Sequence, residues 1–375
     1  MKRPVGLRTW IDVDTKALRH NVKVFRTLIG RKRLLMAVVK SNAYGHSLID
    51  AAHFFEKNGA DWLGVDSVVE GVALRRAGIK KPILVLGHTL PEKYPDLVSY
   101  DLRATISSFE GLALVVQYSK LKIHIKIDSG MHRQGFQESD FEQLCAYIKV
   151  YPKLKKQIEG LYTHFASAKN PAFPRDTKNQ IAIFELISTM FDDVGIEPMR
   201  HAAASSGTIV FPESYYDMVR VGISLYGLWP SHEVEMAFSD RMTLKPALSW
   251  RSVIGEIKTV LRGARFGYDL TESLPRGGRI AIVPVGYWHG YPRALSSIGR
   301  VLIHGKEAKV LGRVSMDMLI IDISKIKDAK TGDVVTLIGQ DGKASISVDF
   351  LAELAGTSSY ELVTRLNPLI HRIYH

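Results

Sequence analysis

Short apolar runs alternate with amphipathic stretches through the first two-thirds of the chain. Residues 34–39 read LLMAVV, 62–65 WLGV, 82–87 PILVLG, 103–106 RATI, 122–128 KIHIKID, 159–165 EGLYTHF, 199–205 MRHAAAS and 218–227 MVRVGISLYG. Apolar runs of this length, bounded by turn residues, read as strands. Between them, residues 15–28, 49–58, 68–77, 141–151 and 180–192 carry apolar positions at helical spacing. Strand followed by helix, repeated around eight strands, predicts parallel pairing and an α/β fold of the closed (β/α)8 TIM-barrel type. An open doubly wound sheet is the alternative, and no GxGxxG follows the first strand to favour it. Near residue 240 the pattern changes. SVIGEIKTV, GRIAIVPVGY, GRVLIHG, AKVLGRVSMDMLIIDI and GDVVTLIG are short, β-rich and glycine-bounded. They predict a C-terminal mostly-β domain holding one short helix at 348–355. The division falls at 1–238 for the barrel and 239–375 for the β domain, with residues 1–12 (TWID at 9–12) able to pair with the β domain.

Composition narrows the class. With 46% hydrophobic and 23% charged residues, the chain is of ordinary globular make-up. Its apolar runs fall far short of the ~20 residues that cross a bilayer. The lone Cys145 excludes a disulfide framework and a cysteine metal cage, and no metal site is expected. The start, Met1-Lys2-Arg3-Pro4, leads into no apolar segment, so no signal peptide is read and a cytoplasmic protein is expected. The net charge of +12 is dispersed, its densest cluster being Arg31-Lys32-Arg33. Without an aromatic-plus-basic strip it does not point to nucleic acid; a positive field favours small anionic substrates.

One lysine stands out. Lys40 follows the first barrel run, where strand C-terminal ends form the reaction face. An amine partly withdrawn from water there suits a Schiff base with a carbonyl. Taken alone, a strand-end lysine reaching back to solvent explains the position better. The surrounding AVVKSNAYGH resembles the pyridoxal-phosphate attachment segment of the alanine racemases, which are fold-type III pyridoxal-phosphate enzymes. LKIHIKIDSGMHRQGF, EGLYTHFASA, RHAAASS, DMVRVGISLYGL, LKPALSW, RIAIVPVGYWHGYPR and VLGRVSMDM resemble further segments of that family in the family's order, and SYELVTRL adds another near the C-terminus. The resemblance spans nearly the whole chain and implies an N-terminal barrel followed by a β domain.

The resemblance also implies roles. Lys40 would carry the cofactor and act as base on one face of the substrate. Arg220 would face the pyridine nitrogen and, holding its own proton, keep the ring neutral. Tyr44, Ser205, the backbone of Gly222 and Ile223, and Tyr360 would hold the phosphate. The family usually has Asn-Ser where this chain has Ala204-Ser205. The second base is a tyrosine from the other subunit of a homodimer, aligned to Tyr268 by its spacing from Gly263 and by Thr271. A competing register puts Phe266 there, which transfers no proton. A phenol of ordinary pKa ~10 needs help to ionise, and His164 resembles the histidine that contacts it. Arg133 would meet the substrate carboxylate, and Lys126 matches a lysine carbamylated in many members. Met316 and Asp317 resemble the loop that closes the site, with Met316 on the carboxylate, and Tyr287 an entrance residue. Asp269 and His132 depart from the family's small residues.

The expected activity is that of an isomerase, interconverting L- and D-alanine and supplying D-alanine for peptidoglycan, without membrane or nucleic-acid partners. Three rival readings remain open. They are a racemase of the same fold for another amino acid such as serine, a fold-type III decarboxylase, and a non-catalytic pyridoxal-phosphate carrier, which would have only the barrel.

Overall fold

The structure, a computed structural model, describes residues 4–375; residues 1–3, which open the stretch read as lacking a signal peptide, lie outside the described residues. The chain divides into two compact units. One comprises Lys16–Ala43 and Leu48–Pro246, and the other residues 4–15, Tyr44–Ser47 and Ala247–His375.

Strand β1 (Thr9–Val13) belongs to the second unit, and the barrel strands follow it: β2 (Leu34–Val38), β3 (Trp62–Val65), β4 (Ile83–Val85), β5 (Arg103–Ile106), β6 (Ile123–Lys126), β7 (Ile158–Tyr162), β8 (Met199–His201) and β9 (Met218–Val221). They form one eight-stranded sheet in the order β8-β7-β6-β5-β4-β3-β2-β9, every pairing parallel. Parallel strands are covered on both faces, which is why they read as continuous apolar runs. Residues such as Leu35, Leu63, Ile83, Ile125, Leu161 and Val219 are fully buried. Helix Thr15–Ile29 buries Leu18, Val22, Phe25 and Ile29, the three- and four-residue spacing that its sequence shows. Between β8 and β9 no ladder forms among the described residues. The seam is instead bridged by Asp217 N to Arg200 O (3.0 Å) and Arg220 N to Ala203 O (2.9 Å). The nearly closed barrel thus leaves strand-end carbonyls at one seam in need of donors.

In the second unit β10 (Leu248–Val253), β11 (Glu256–Val260), β12 (Ala264–Phe266), β13 (Glu272–Leu274), β14 (Gly278–Val283), β15 (Arg300–Ile303), β16 (Lys306–Lys309), β17 (Leu319–Asp322), β18 (Val334–Asp341), β19 (Ala344–Ile346) and β20 (His371–Tyr374) make up the β domain. Its main sheet runs β16-β15-β18-β10-β1-β20, with β19 on β18, beside a β11-β14-β17 sheet and the β12-β13 hairpin. The N-terminal strand β1 pairs antiparallel with β10 and parallel with β20. Helix Val348–Leu354 lies where the pattern put it, and the SYELVTRL stretch forms a second helix, Ser359–Thr364. Both are short and begin on serine caps, Ser347 and Ser358.

Candidate active site

Strand β2 ends at Val38, sooner than the apolar run suggests, and Lys40 begins a turn. The next four residues are all left-handed: Ser41 (φ 56°), Asn42 (φ 55°), Ala43 (φ 51°) and Tyr44 (φ 51°). For L-residues this backbone costs roughly 1–2 kcal/mol each, so the turn needs external ties. Glu70 supplies two, accepting Ser41 N on Oε1 and Asp66 N on Oε2, each at 2.7 Å. Asn42 Oδ1 accepts Leu48 N at 3.0 Å, and Ala43, fully buried, donates to Val39 O at 2.8 Å. The Lys40 ammonium, partly exposed, pairs with Asp66 at 3.2 Å. Neither Asp66 nor Glu70 was singled out from the sequence. Asp66 directly follows β3, so the strand-end rule that picked Lys40 points to it as well.

Arg220, on β9, is buried, and both of its terminal nitrogens are bonded. Its NH1 donates to His201 Nδ1 and His201 O, both at 2.9 Å. Its NH2 reaches Thr163 O (2.7 Å), Ala202 O (2.9 Å) and His164 Nδ1 (3.3 Å). Those acceptors include the strand-end carbonyls at the β8–β9 seam. The terminal N–H groups are thus committed within the barrel, and Nε–H has no partner among the described residues. Burial pulls the guanidinium down to about 10, so it stays charged at neutral pH. An arginine only donates, so His201 takes NH1 on Nδ1 and carries its own proton on Nε2. That proton goes to His124 Nδ1, 2.8 Å away. Tyr162 lies flat on the His201 ring, 4.7 Å between centroids, and bonds Thr105 through its hydroxyl. Burial, with Arg220 and Arg103 close by, holds His124 down at about 3, and burial and Arg220 hold His201 well below 6.5.

His164 lies two residues beyond β7, not on it. Burial and the cations Arg220, Arg133, Lys126 and Lys40 keep it neutral. Lys126, at the end of β6, is nearly enclosed and donates to Gln134 Oε1 at 3.0 Å. Burial, then Arg133, Arg220 and Lys40, bring its amine down to about 7. Lys126, Asp128, Met131, Arg133, Gln134 and His164 line one small concavity. Asp128 shapes it: Oδ1 accepts Gly130, Met131 and His132 N–H at 2.9–3.0 Å, and Oδ2 accepts Arg133 N–H at 3.1 Å. His132 sits in that loop at φ 55°, a region histidine enters more readily than most residues.

Ser205 starts a short helix after β8, and its Oγ accepts Gly222 N, just past β9, at 3.1 Å. Ile223 begins the following turn. Ala204 caps that short helix without a side-chain bond.

Within the β unit, Tyr44 meets Tyr360 edge-on at 6.3 Å, and burial pushes the Tyr360 phenol up. Tyr287 N donates to Ser315 O and Trp288 N to Met316 O, both at 3.0 Å, so two loops are joined by backbone. A Cβ on Gly286 would lie 2.1 Å from Ser315 O, which is why glycine stands there. Asp317 approaches His289 at 3.8 Å. Tyr268 is 69% exposed, and Tyr287 and Met316 are exposed as well. Phe266, the residue of the competing register, is instead buried at the end of β12. Asp269 has φ 60° and pairs with Arg313 at 3.1 Å, which gives a local reason for an aspartate at this left-handed position.

The comparisons agree over the whole length. The family model described as alanine racemase, N-terminal domain, matches residues 13–230, and that of the alanine racemase C-terminal domain matches 247–374. The alanine racemase of Desulforamulus reducens is 37% identical, covering 100% of both chains. That of Methanococcus maripaludis is 38% identical over 97% of this chain and 98% of its own. Among solved structures, an alanine racemase from Bacillus anthracis with bound L-Ala-P superposes with a TM-score of 0.93 at 33% identity, covering 100% of this chain and 96% of that one.

Proposed function

The chain belongs to the alanine racemase family, and from that premise we propose that it interconverts L- and D-alanine with pyridoxal 5'-phosphate and two opposed bases. The observation that carries the reading is the commitment of Arg220, whose terminal N–H groups are bonded inside the barrel and whose Nε–H remains to face a ring nitrogen. When bound, the cofactor draws electron density from the substrate α-carbon and acidifies its C–H. The rest falls to this chain's residues. Lys40 would hold the cofactor covalently and move a proton at its Nζ on one face. Ser205 Oγ and the Gly222 and Ile223 N–H groups would hold the phosphate, with Tyr44 and Tyr360 as its further ligands. A permanently donating Arg220 cannot protonate the ring nitrogen, so the cofactor stays a moderate electron sink.

Tyr268 of a second copy would move the proton on the other face at its phenolic oxygen. Its exposure, with that of Tyr287 and Met316, supports the view that these side chains serve a partner's site, and hence a homodimer. A neutral His164 that accepts from Arg220 on Nδ1 has its proton on Nε2, ready to donate to a phenolate. Arg133 and the Met316 N–H would hold the substrate carboxylate, Asp317 would shape the closing loop, and Tyr287 would narrow the entrance towards a methyl side chain. Lys126, an amine brought down to about 7 among cations, is suited to add CO₂ with loss of a proton, and the resulting carbamate anion would orient Arg133. The product D-alanine would feed peptidoglycan synthesis from the cytoplasm.

A chiral assay for D-alanine tests the activity. Lys40→Ala should abolish the visible absorbance of bound cofactor. Tyr268→Phe should keep that absorbance and lose most racemisation. Full racemisation by Tyr268→Phe would refute the second base, and a monomer active at all dilutions in sedimentation would refute the shared site.

A further inference from the structure

The loop that carries Tyr268 is built on backbone that side chains disfavour. Gly267 (φ 71°), Asp269 (φ 60°) and Leu270 (φ 49°) are all left-handed, and Leu270 is half exposed, so packing does little to hold it. Such a loop persists only where its surroundings fix it. Three contacts do so. Arg265 Nε donates to Leu270 O at 2.9 Å, Leu270 N donates to Gly267 O at 3.2 Å, and Arg313 NH2 pairs with Asp269 Oδ2 at 3.1 Å. The third reaches another loop. Gly267 lies flush on it, since a Cβ there would come within 3.1 Å of Arg313 N. Arg313 stands three residues before Met316, whose carbonyl, with that of Ser315, takes the N–H groups of the Tyr287 loop. Arg313 therefore joins the Tyr268 loop to the loops of Met316 and Tyr287.

We propose that Arg313 and Asp269 form a salt-sensitive latch, a pair of positioning residues that holds Tyr268 in its working place. The inference rests on the reading of Tyr268 as second base. Both partners reach water, with 37% and 66% of their side chains exposed. A pair of that kind shifts a loop equilibrium by about fivefold at most and weakens as salt screens it. Asp269 thereby supplies both a residue that tolerates left-handed backbone and a charge that glycine would not bring.

The test compares the native chain with Asp269→Asn, which keeps the shape and the left-handed tolerance and removes the charge. Amide hydrogen exchange at residues 266–271 and racemase kcat/KM are measured at about 0.01 M and about 1 M salt, where the screening length falls from ~30 to ~3 Å. In the native chain, high salt should speed exchange in this loop by up to about fivefold and lower kcat/KM by a similar factor, equally in both directions. Asp269→Asn should show the faster exchange already at low salt and little further change, with Arg313→Gln behaving alike. Native exchange that ignores salt, or an Asp269→Asn loop as protected as the native one at low salt, would overturn the latch. If exchange responds as expected while Tyr268→Phe still racemises fully, the latch stands and the second-base reading fails.

Discussion

Asp128 shows how one side chain can fix the backbone of a loop, here the loop of Arg133, the residue proposed to bind the substrate carboxylate. Its carboxylate gathers the backbone N–H groups of Gly130, Met131, His132 and Arg133. Those bonds favour the ionised form and hold its pKa below the ordinary value despite partial burial. Asp128→Asn keeps the shape but replaces a charged acceptor by a single amide oxygen, and bonds to charged groups are worth about 1.5–3 kcal/mol. The loop should loosen. Because Arg133 is assigned to the substrate carboxylate, KM for alanine should rise by about tenfold or more while kcat changes less; one kcal-scale bond corresponds to such a factor. Steady-state kinetics on the purified variant check this, and an unchanged KM would detach Asp128 from substrate binding. From the sequence, Lys126 and Arg220 were singled out because they sit on strands, and Lys40 because it follows one, each inside a recognisable segment. Asp66, Glu70, Gln134 and His201 were not: Asp66 follows a strand and the same rule reaches it, but the roles of all four come from partners 26, 29, 8 and 19 residues away.

At the scale of elements, the barrel seam and its neighbours explain where polar groups are allowed inside. Gly160 on β7 has no room for a Cβ, which would lie 2.2 Å from His124 Nδ1. The glycine on one strand makes space for the histidine on the next. Gly160→Ala must therefore push the His124 ring, break its bond to His201 and disturb the chain of donors that orients Arg220. Overpacking of this kind costs about 1–3 kcal/mol. The expected outcome is a melting temperature several degrees lower, with cofactor absorbance altered as Arg220 shifts; a variant as stable as the native chain would show that the ring moves freely. The strands themselves were readable because burial on both faces writes an apolar run. Their ends were less so: β2 stops before Lys40 and β7 before His164, since the polar residues beyond already belong to the turns. The Ser359–Thr364 helix was not read from pattern because six residues give too few turns to show a period.

At the scale of the molecule, buried neutral histidines tie stability to pH. His124 and His201 are fully buried and held below their unfolded value of about 6.5. In acid the unfolded chain binds protons that the folded chain refuses, so stability falls as pH drops below about 6.5. Each group contributes a slope of up to about 1.4 kcal/mol per pH unit. Asp128, with its lowered pKa, adds loss in the same direction below about 4. Denaturant unfolding followed between about pH 7.5 and 5 should show the fall, and His124→Asn, which still accepts from His201, should remove one histidine's share of the slope and leave those of His201 and His164. An unchanged slope would mean that these histidines titrate alike in both states. The sequence by itself determined the order of the strands, the change from barrel to β domain and the family, because burial and motif chemistry are written locally along the chain. Only the tertiary structure decided which acid faces Lys40, what takes the terminal N–H groups of Arg220 and that β1 pairs with β10 and β20. Those outcomes depend on partners as far apart as Trp10 and His371, and nothing local in a sequence records which distant donor will meet which acceptor.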